Sequence, residues 1–272
     1  MFEKFYGMEN TPFTRNVPVK ALYESSAMSE TVGRIVYAAD RQLFVVVTSD
    51  SGCGKTTVIR RVSEELSDDE YVLLYLSDSK LTPRWFYKGL LDQLGIESRF
   101  YRGDAKRQLQ KEIEMIRRAE NKKVVCVLDE AHLLEKETIE EFRFLLNYRF
   151  DSMSPMALVL VGQTELWDEK LKLKRYAAVR QRIDISCVIP HLDRSETQKY
   201  IDSHLAYSGC GRDIFSGQAV DEIYKVSSGI LRQINRICEK SLMYGAQQNK
   251  RIIDDHIARY VIDHEMLKGG ES

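Results

Sequence analysis

The chain has 272 residues, of which 43% are hydrophobic and 30% charged, and its formal net charge is −1. That apolar content can build a sizeable core, and the charge is too dense for a membrane bundle. The length suits one large domain or a large domain with a small one, and the near-zero net charge says nothing of partners until its distribution is read.

The N-terminus, MFEKFYGMEN, has no apolar h-region, and no stretch is long enough to span a bilayer. A cytoplasmic chain without a membrane segment is the expectation. Phe5, Tyr6, Pro12 and Phe13 are expected to form a hydrophobic clasp that packs the N-terminus on the core. The functional alternative is a cover for an adenine ring. A helix follows over 28–41, with Val32, Ile35, Val36 and Ala39 on one face.

Residues 43–62 read LFVVVTSDSGCGKTTVIRRV. The apolar run 43–47 predicts a central parallel strand covered on both faces. Gly52 and Gly54 let the turn bring backbone N–H groups around an anion where a side chain would intrude. A helix opening at Lys55 adds unpaired N–H groups and a positive dipole end. Lys55 then neutralises β- and γ-phosphates, and the Thr56 hydroxyl ligates Mg²⁺. This is a P-loop, with Ser49, Asp50, Ser51, Gly52, Cys53, Gly54, Lys55, Thr56 and Thr57 as the nucleotide-binding residues. It departs from G-x-x-x-x-G-K-[ST] at one place, Ser49 standing for the first glycine.

Further on, 71–76 (YVLLYL) predicts a second strand, and Thr82-Pro83 starts a helix carrying Phe86, Leu90, Leu91 and Leu94 that Gly95 ends. Asp104 is expected to cap the next helix, with Leu109, Ile113 and Ile116 on one face. Strands are expected at 124–128, 157–161 and 183–189, with a helix over 137–150. This alternation predicts an α/β fold, a three-layer parallel sheet of the P-loop NTPase kind. Past Pro190 only helical periodicity remains, at 195–207, 216–226, 231–247 and 254–264. The expected organisation is a nucleotide-binding domain over 1–190, an all-α lid over 191–265 and a frayed tail over 266–272. Cys53, Cys126, Cys187, Cys210 and Cys238 form no C-x-x-C pair. They indicate no metal site, and Cys126 and Cys187 read as reduced core residues.

The strand VVCVLDEAH delivers Asp129 and Glu130 to the carboxyl end of the sheet, where ligands bind in open α/β folds. Asp129 is the candidate to hold Mg²⁺ with Thr56. Glu130 is the candidate base for the water that attacks the γ-phosphate. His132 reads as a capping or packing residue. Gln163, at the end of the next strand, is placed to sit between Glu130 and the γ-phosphate. Arg175, Arg180 and Arg182 precede the fifth strand. Arg180 or Arg182 is the candidate to reach a neighbouring subunit's site as an arginine finger. Arg232, one turn into a C-terminal helix, is the candidate to contact the γ-phosphate and couple lid angle to nucleotide state.

FYGMENTPF, SGCGKTT, VLDEAHLL, LVGQTELW, RQRIDI and SSGILRQINRIC, in this order, resemble the AAA+ ATPases over nearly the whole chain. The likeness is to the ExeA-like group, which takes in transposon-encoded helper ATPases similar to TnsC and MuB. It implies an ATP- and Mg²⁺-dependent oligomer, ring or filament. It also implies Gln163 at the sensor 1 position, Arg180 or Arg182 as the finger, and Arg232 as sensor 2.

The segment 80–123 carries twelve Lys/Arg against six Asp/Glu. Lys80, Arg84, Lys88, Arg99, Arg102, Lys106 and Arg107 are interleaved there with Trp85, Phe86, Tyr87, Phe100 and Tyr101. Basic residues neutralise phosphates and aromatics stack or wedge. A solvated helix face explains the charges equally well, and the family likeness favours duplex DNA, bound without base readout. The expectation is a transposition helper that assembles on target DNA and recruits a partner transposase. The alternative is a secretion or envelope-assembly switch of the ExeA type. A helicase, suggested by DEAH, would need a second motor domain for which the chain has no room.

Overall fold

The computed structural model describes residues 2–77, 81–146, 154–210 and 213–266. Lys80, the last residues of the helix expected to run to 150, and the tail from 267 lie outside the described residues.

Five parallel strands form one sheet in the order β2-β3-β4-β1-β5. They are β1 (Phe44–Thr48), β2 (Tyr71–Leu76), β3 (Lys123–Leu128), β4 (Ala157–Gly162) and β5 (Ile185–Val188). The three inner strands are buried almost throughout, as their Val- and Leu-rich apolar runs require. Alternation sorts their side chains between the two faces. Phe44, Val46, Val124, Cys126, Leu128, Leu158 and Leu160 join one core cluster, while Val45, Val47, Val125, Val127, Val159 and Val161 are buried outside it. The edge strands β2 and β5 are only partly covered.

The first face is packed by α4 (Pro83–Gln93), α5 (Arg102–Met115) and α6 (Lys136–Leu145), which contribute Phe86, Tyr87, Leu90, Leu91, Leu109, Ile113 and Phe142. Proline at the first turn and Gly95 at φ 72° delimit α4. Three further helices, α2 (Ser26–Arg41), α3 (Lys55–Glu65) and the short α7 (Ala177–Arg180), bury Val32, Ile35, Ala39, Val58, Ile59, Val62 and Val179. The start of α5 corrects an expectation. The helix opens at Arg102 after Tyr101, which makes no side-chain cap, and Asp104 lies inside the first turn. There its carboxylate pairs with Arg107 at 2.6 Å, a helix i,i+3 pair rather than a cap.

The chain divides into two compact units, Ala27–Asp50 with Lys55–Ile189 and Met1–Ser26 with Ser51–Gly54 and Pro190–Ser272. The second contains α1 (Phe2–Tyr6) and the helices α8 (Arg194–Tyr207), α9 (Gly217–Ser227), α10 (Leu231–Gln247) and α11 (Asp255–His264). A capping box at Asp193 and Glu196 starts α8, and Ser216 and Asp254 cap α9 and α11. The first 26 residues, expected within a 1–190 domain, group with these helices because their apolar side chains find partners there. Phe13 stacks on His204 with ring centres 4.9 Å apart, and its backbone N–H donates to His204 Nδ1 at 3.1 Å. The Tyr6 hydroxyl donates to the Lys250 carbonyl. Burial holds His204 neutral, with its pKa lowered to about 4. The expected hydrophobic clasp exists, and it closes on the helical unit. All five cysteines are buried and outside any disulfide, and burial pushes the Cys126 thiol up.

Candidate functional site

Parallel pairing brings the ends of the inner strands to one edge. Thr48 is in register with Gly162, and Leu128 with Leu160. The segments that follow β1, β3 and β4 therefore leave the sheet side by side, and they carry Ser49, Asp129 and Gln163.

Lys55 opens α3 and is buried. Its ammonium donates to the carbonyls of Ser49 at 2.9 Å and Asp50 at 3.0 Å, and reaches Ser49 Oγ at 3.4 Å. Ser49 is itself buried, and its N–H donates to the Gly162 carbonyl at 3.2 Å. Its backbone lies outside the positive-φ region, so nothing at this position demands glycine. The serine supplies the lysine with one more oxygen than a glycine would. Asp50 Oδ1 accepts from Thr164 Oγ1 at 3.2 Å, linking this loop to the one that carries Gln163. Thr56 is exposed and Thr57 half-buried at the start of α3.

Ser51–Gly54 belongs to the helical unit. Gly52 and Gly54 hold φ of 88° and 95°, which side chains rarely adopt. A Cβ on Gly52 would also come within 2.8 Å of Arg232 Cβ. Arg232 stands at the start of α10, where its N–H donates to the Gly52 carbonyl at 3.1 Å and its Nη1 to Ser51 Oγ at 3.2 Å. Cys53 is buried.

Asp129 is buried, and both of its oxygens are oriented. Oδ2 accepts from the Tyr75 hydroxyl at 2.8 Å and Oδ1 from the Glu130 N–H at 2.8 Å. Burial, then the hydrogen bond to Asp129, raises the Tyr75 pKa, so this phenol stays a donor. Glu130 adopts φ 53°, ψ 31° at the cap of the short turn Ala131–Leu133. This left-handed backbone is uncommon for a residue with a side chain and is the kind of strain found at functional positions. Its carboxylate is 43% exposed and lies 3.6 Å from His132 Nε2, whose side chain is only 10% exposed. His132 in turn faces Gln163 twice, through the Gln163 N–H to Nδ1 at 3.3 Å and the side-chain amide to Nε2 at 3.0 Å. Sequence reading undervalued His132 and passed over Tyr75, whose strand YVLLYL looks uniformly buried.

The three arginines before β5 differ. Arg180 Nη1 donates to the Leu171 carbonyl at 2.7 Å. Arg175 lies over the ring of Tyr176 at 5.2 Å. Arg182 lines a cleft with Arg41, Arg117, Lys123 and Asp184, residues that open or lie ahead of β1, β3 and β5 and thus at the opposite edge of the sheet from Ser49.

The basic segment also separates into parts. Arg102 and Lys106 both face Glu141, at 3.5 and 3.2 Å, and this buried carboxylate accepts from the Tyr87 hydroxyl at 2.8 Å as well. Arg107 pairs with Asp104. Arg84 and Lys88 sit with the exposed aromatics, and Arg99 directly precedes Phe100 in the chain. Arg84 lies 4.1 Å from the ring centre of Phe100, and Lys88 lies 4.8 Å from that of Trp85. Trp85, Phe100 and Tyr101 are 51%, 67% and 70% exposed, so these rings are surface rather than core. Phe86 and Tyr87 belong to the core.

Among the described residues there is no cluster of three or more His, Cys, Asp or Glu that could hold a metal, and no helix long and apolar enough to cross a membrane. A single oriented carboxylate at the end of β3, with the exposed Thr56 at the start of α3, is a donor set that suits Mg²⁺ carried on a phosphate, which needs few protein ligands.

Residues 38–168 match a family model described as an AAA domain. General secretion pathway protein A of Aeromonas hydrophila is 30% identical over 250 residues, covering 89% of this chain and 44% of that protein. The chain thus spans less than half the length of this relative. The crystal structure of Cdc6p from Pyrobaculum aerophilum superposes with a TM-score of 0.71 at 15% identity, covering 95% of this chain and 71% of that one. The structure of Drosophila ORC bound to DNA gives 0.64 at 16% identity, covering 96% and 64%. The parallel five-stranded sheet with flanking helices is the P-loop NTPase fold, followed by a C-terminal helical region. Residues 38–168 are thus similar to an AAA domain, and most of the chain is similar to part of general secretion pathway protein A.

Proposed function

We propose that this chain is a DNA-binding, ATP-hydrolysing AAA+ protein that oligomerises, in the manner of the transposon-encoded helper ATPases of the TnsC and MuB kind. The observation that carries the ATPase reading is the gathering of Lys55, Asp129, Glu130 and Gln163 at one edge of the sheet. Ser49 to Thr57 hold the triphosphate, with Lys55 neutralising its β- and γ-oxygens. Thr56 and Asp129 hold Mg²⁺, which when bound neutralises phosphate charge. Glu130 accepts the proton of the attacking water, and Gln163 senses the γ-phosphate. Arg232 reads the same phosphate from the helical lid. Arg180 or Arg182, both just before β5, supplies the finger to a neighbouring subunit's site.

Hydrolysis then governs assembly: ATP closes subunit contacts in a cytoplasmic ring or filament on duplex DNA, and its loss opens them. Arg84, Lys88 and Arg99, with Trp85, Phe100 and Tyr101 beside them, form the proposed DNA surface. That the Drosophila ORC likeness is a complex with DNA is in keeping with this. In this role the oligomer marks target DNA and recruits a partner transposase.

A second reading has its own support in the 30% identity to general secretion pathway protein A. In it the same ATPase site drives a protein-interaction switch in secretion, and the aromatic–basic surface meets protein. Hydrolysis measured with and without duplex DNA separates the two. Clear stimulation supports the first reading, and a flat response overturns it in favour of the second.

A further inference from the structure

We propose that His132 is the positioning residue through which Gln163 sets the carboxylate of Glu130. The inference rests on the reading of Glu130 as the base. It starts from hydrogen-bond arithmetic. The Gln163 backbone N–H points at His132 Nδ1 at 3.3 Å. An N–H can be received only by an unprotonated ring nitrogen, so neutral His132 carries its proton on Nε2.

That single Nε2–H faces two acceptors. One is the Gln163 side-chain amide, whose nitrogen stands 3.0 Å from Nε2; two donors cannot face each other, so the amide is assigned the flipped orientation, with its oxygen toward the ring to accept. The other is Glu130 Oε2 at 3.6 Å. The ring is mostly enclosed, and its position follows the end of β4. Gly162 makes this possible, since a Cβ there would stand 3.0 Å from the His132 backbone nitrogen. The left-handed backbone of Glu130 turns its side chain back into this group.

The two ends of the Gln163 amide thus do different things. When a γ-phosphate takes its NH₂ group, its oxygen stays on the His132 N–H, and the Glu130 carboxylate is left to receive a proton from water. When the phosphate leaves, the amide is released, and the same N–H closes on Glu130. His132 touches neither phosphate nor water. It transmits the state of Gln163 to the base.

Two conservative variants separate this role from a packing one. Asparagine places an oxygen near Nδ1 and nothing near Nε2, so H132N keeps the anchor to the Gln163 backbone and loses the link. Glutamine places a donor near Nε2, so H132Q keeps the link. Steady-state hydrolysis of H132N should show kcat reduced roughly tenfold to a hundredfold, with the affinity for a non-hydrolysable ATP analogue within about twofold of wild type. H132Q should recover most of that loss. Combining H132N with Q163A should cost little beyond Q163A alone, because Q163A already cuts the path through His132. An H132N enzyme with wild-type kcat, or H132N and H132Q equally impaired, overturns the proposal. Should H132N fail to fold by its melting curve, the pair Q163A and H132Q/Q163A carries the test. Without Gln163 there is nothing for the link to relay, so equal kcat is expected, and a further fall is the contrary result. A wild-type protein that does not hydrolyse ATP sinks the underlying reading and this one with it. An active wild type with an unimpaired H132N sinks the link alone.

Discussion

The carboxyl edge of the sheet and the basic segment between β2 and β3 are both rich in charged and polar side chains, and the fold treats them differently. At the sheet edge, residues far apart in the chain hold one another. Tyr75 fixes Asp129, Thr164 fixes Asp50, and His132 joins Gln163 to Glu130. In the basic segment the charges split between internal and outward duties. Arg102 and Lys106 face the buried Glu141, while Arg84 and Lys88 lie on exposed aromatic rings. A charged cluster in a sequence is therefore not yet a surface. Only the part not required to compensate a buried group of opposite sign is available to a partner.

The largest effect that would sharpen this contrast comes from Lys55→Ala. Three oxygens of its own loop already surround the ammonium, so its replacement removes both the charge and the organiser of the loop. Affinity for ATP, read by calorimetry, should fall by about a hundredfold or more. Tight binding in this variant would remove the loop from the site.

Next in size is Lys106→Met. If Lys106 answers Glu141 rather than DNA, the variant should lose about 1–3 kcal/mol of stability in denaturant melts, the lower figure applying if Arg102 takes over. Its salt dependence of duplex binding should be unchanged. A stable protein with weakened DNA binding would reverse the assignment. Smaller still in energy is the combined replacement of Arg84, Lys88 and Arg99 by glutamine. Here stability should stay within about 0.5 kcal/mol. The slope of log affinity against log salt should drop by up to about 0.9 for each phosphate the variant no longer neutralises. An unaltered slope would detach this surface from nucleic acid.

The same contrast explains what could be read from sequence. The strands and the P-loop were legible because their signals are local: an unbroken apolar run, glycines where φ is positive, a lysine at a helix start. Even Ser49, a departure from the pattern, proved to sit where glycine is not demanded. What escaped is long-range. Tyr75 and Asp129 are 54 positions apart, as are Tyr87 and Glu141, and His132 and Gln163 are 31 apart. No periodicity announces such pairs. Asp104 looked like a cap because its residue type favours that position, but the chain entered the helix two residues earlier and left the carboxylate to Arg107. The N-terminal clasp was recognisable from its aromatics, whereas its destination depended on His204, which is 191 residues from Phe13.

The central claim is that Glu130 is the base of a nucleotide site whose grip comes from elsewhere. The most direct test is Glu130→Gln, assayed for ATP binding and for phosphate release on the same preparation. The account predicts ATP affinity within a few-fold of wild type and hydrolysis reduced by about 10²–10⁴-fold. Phosphate release at the wild-type rate in that variant would contradict it.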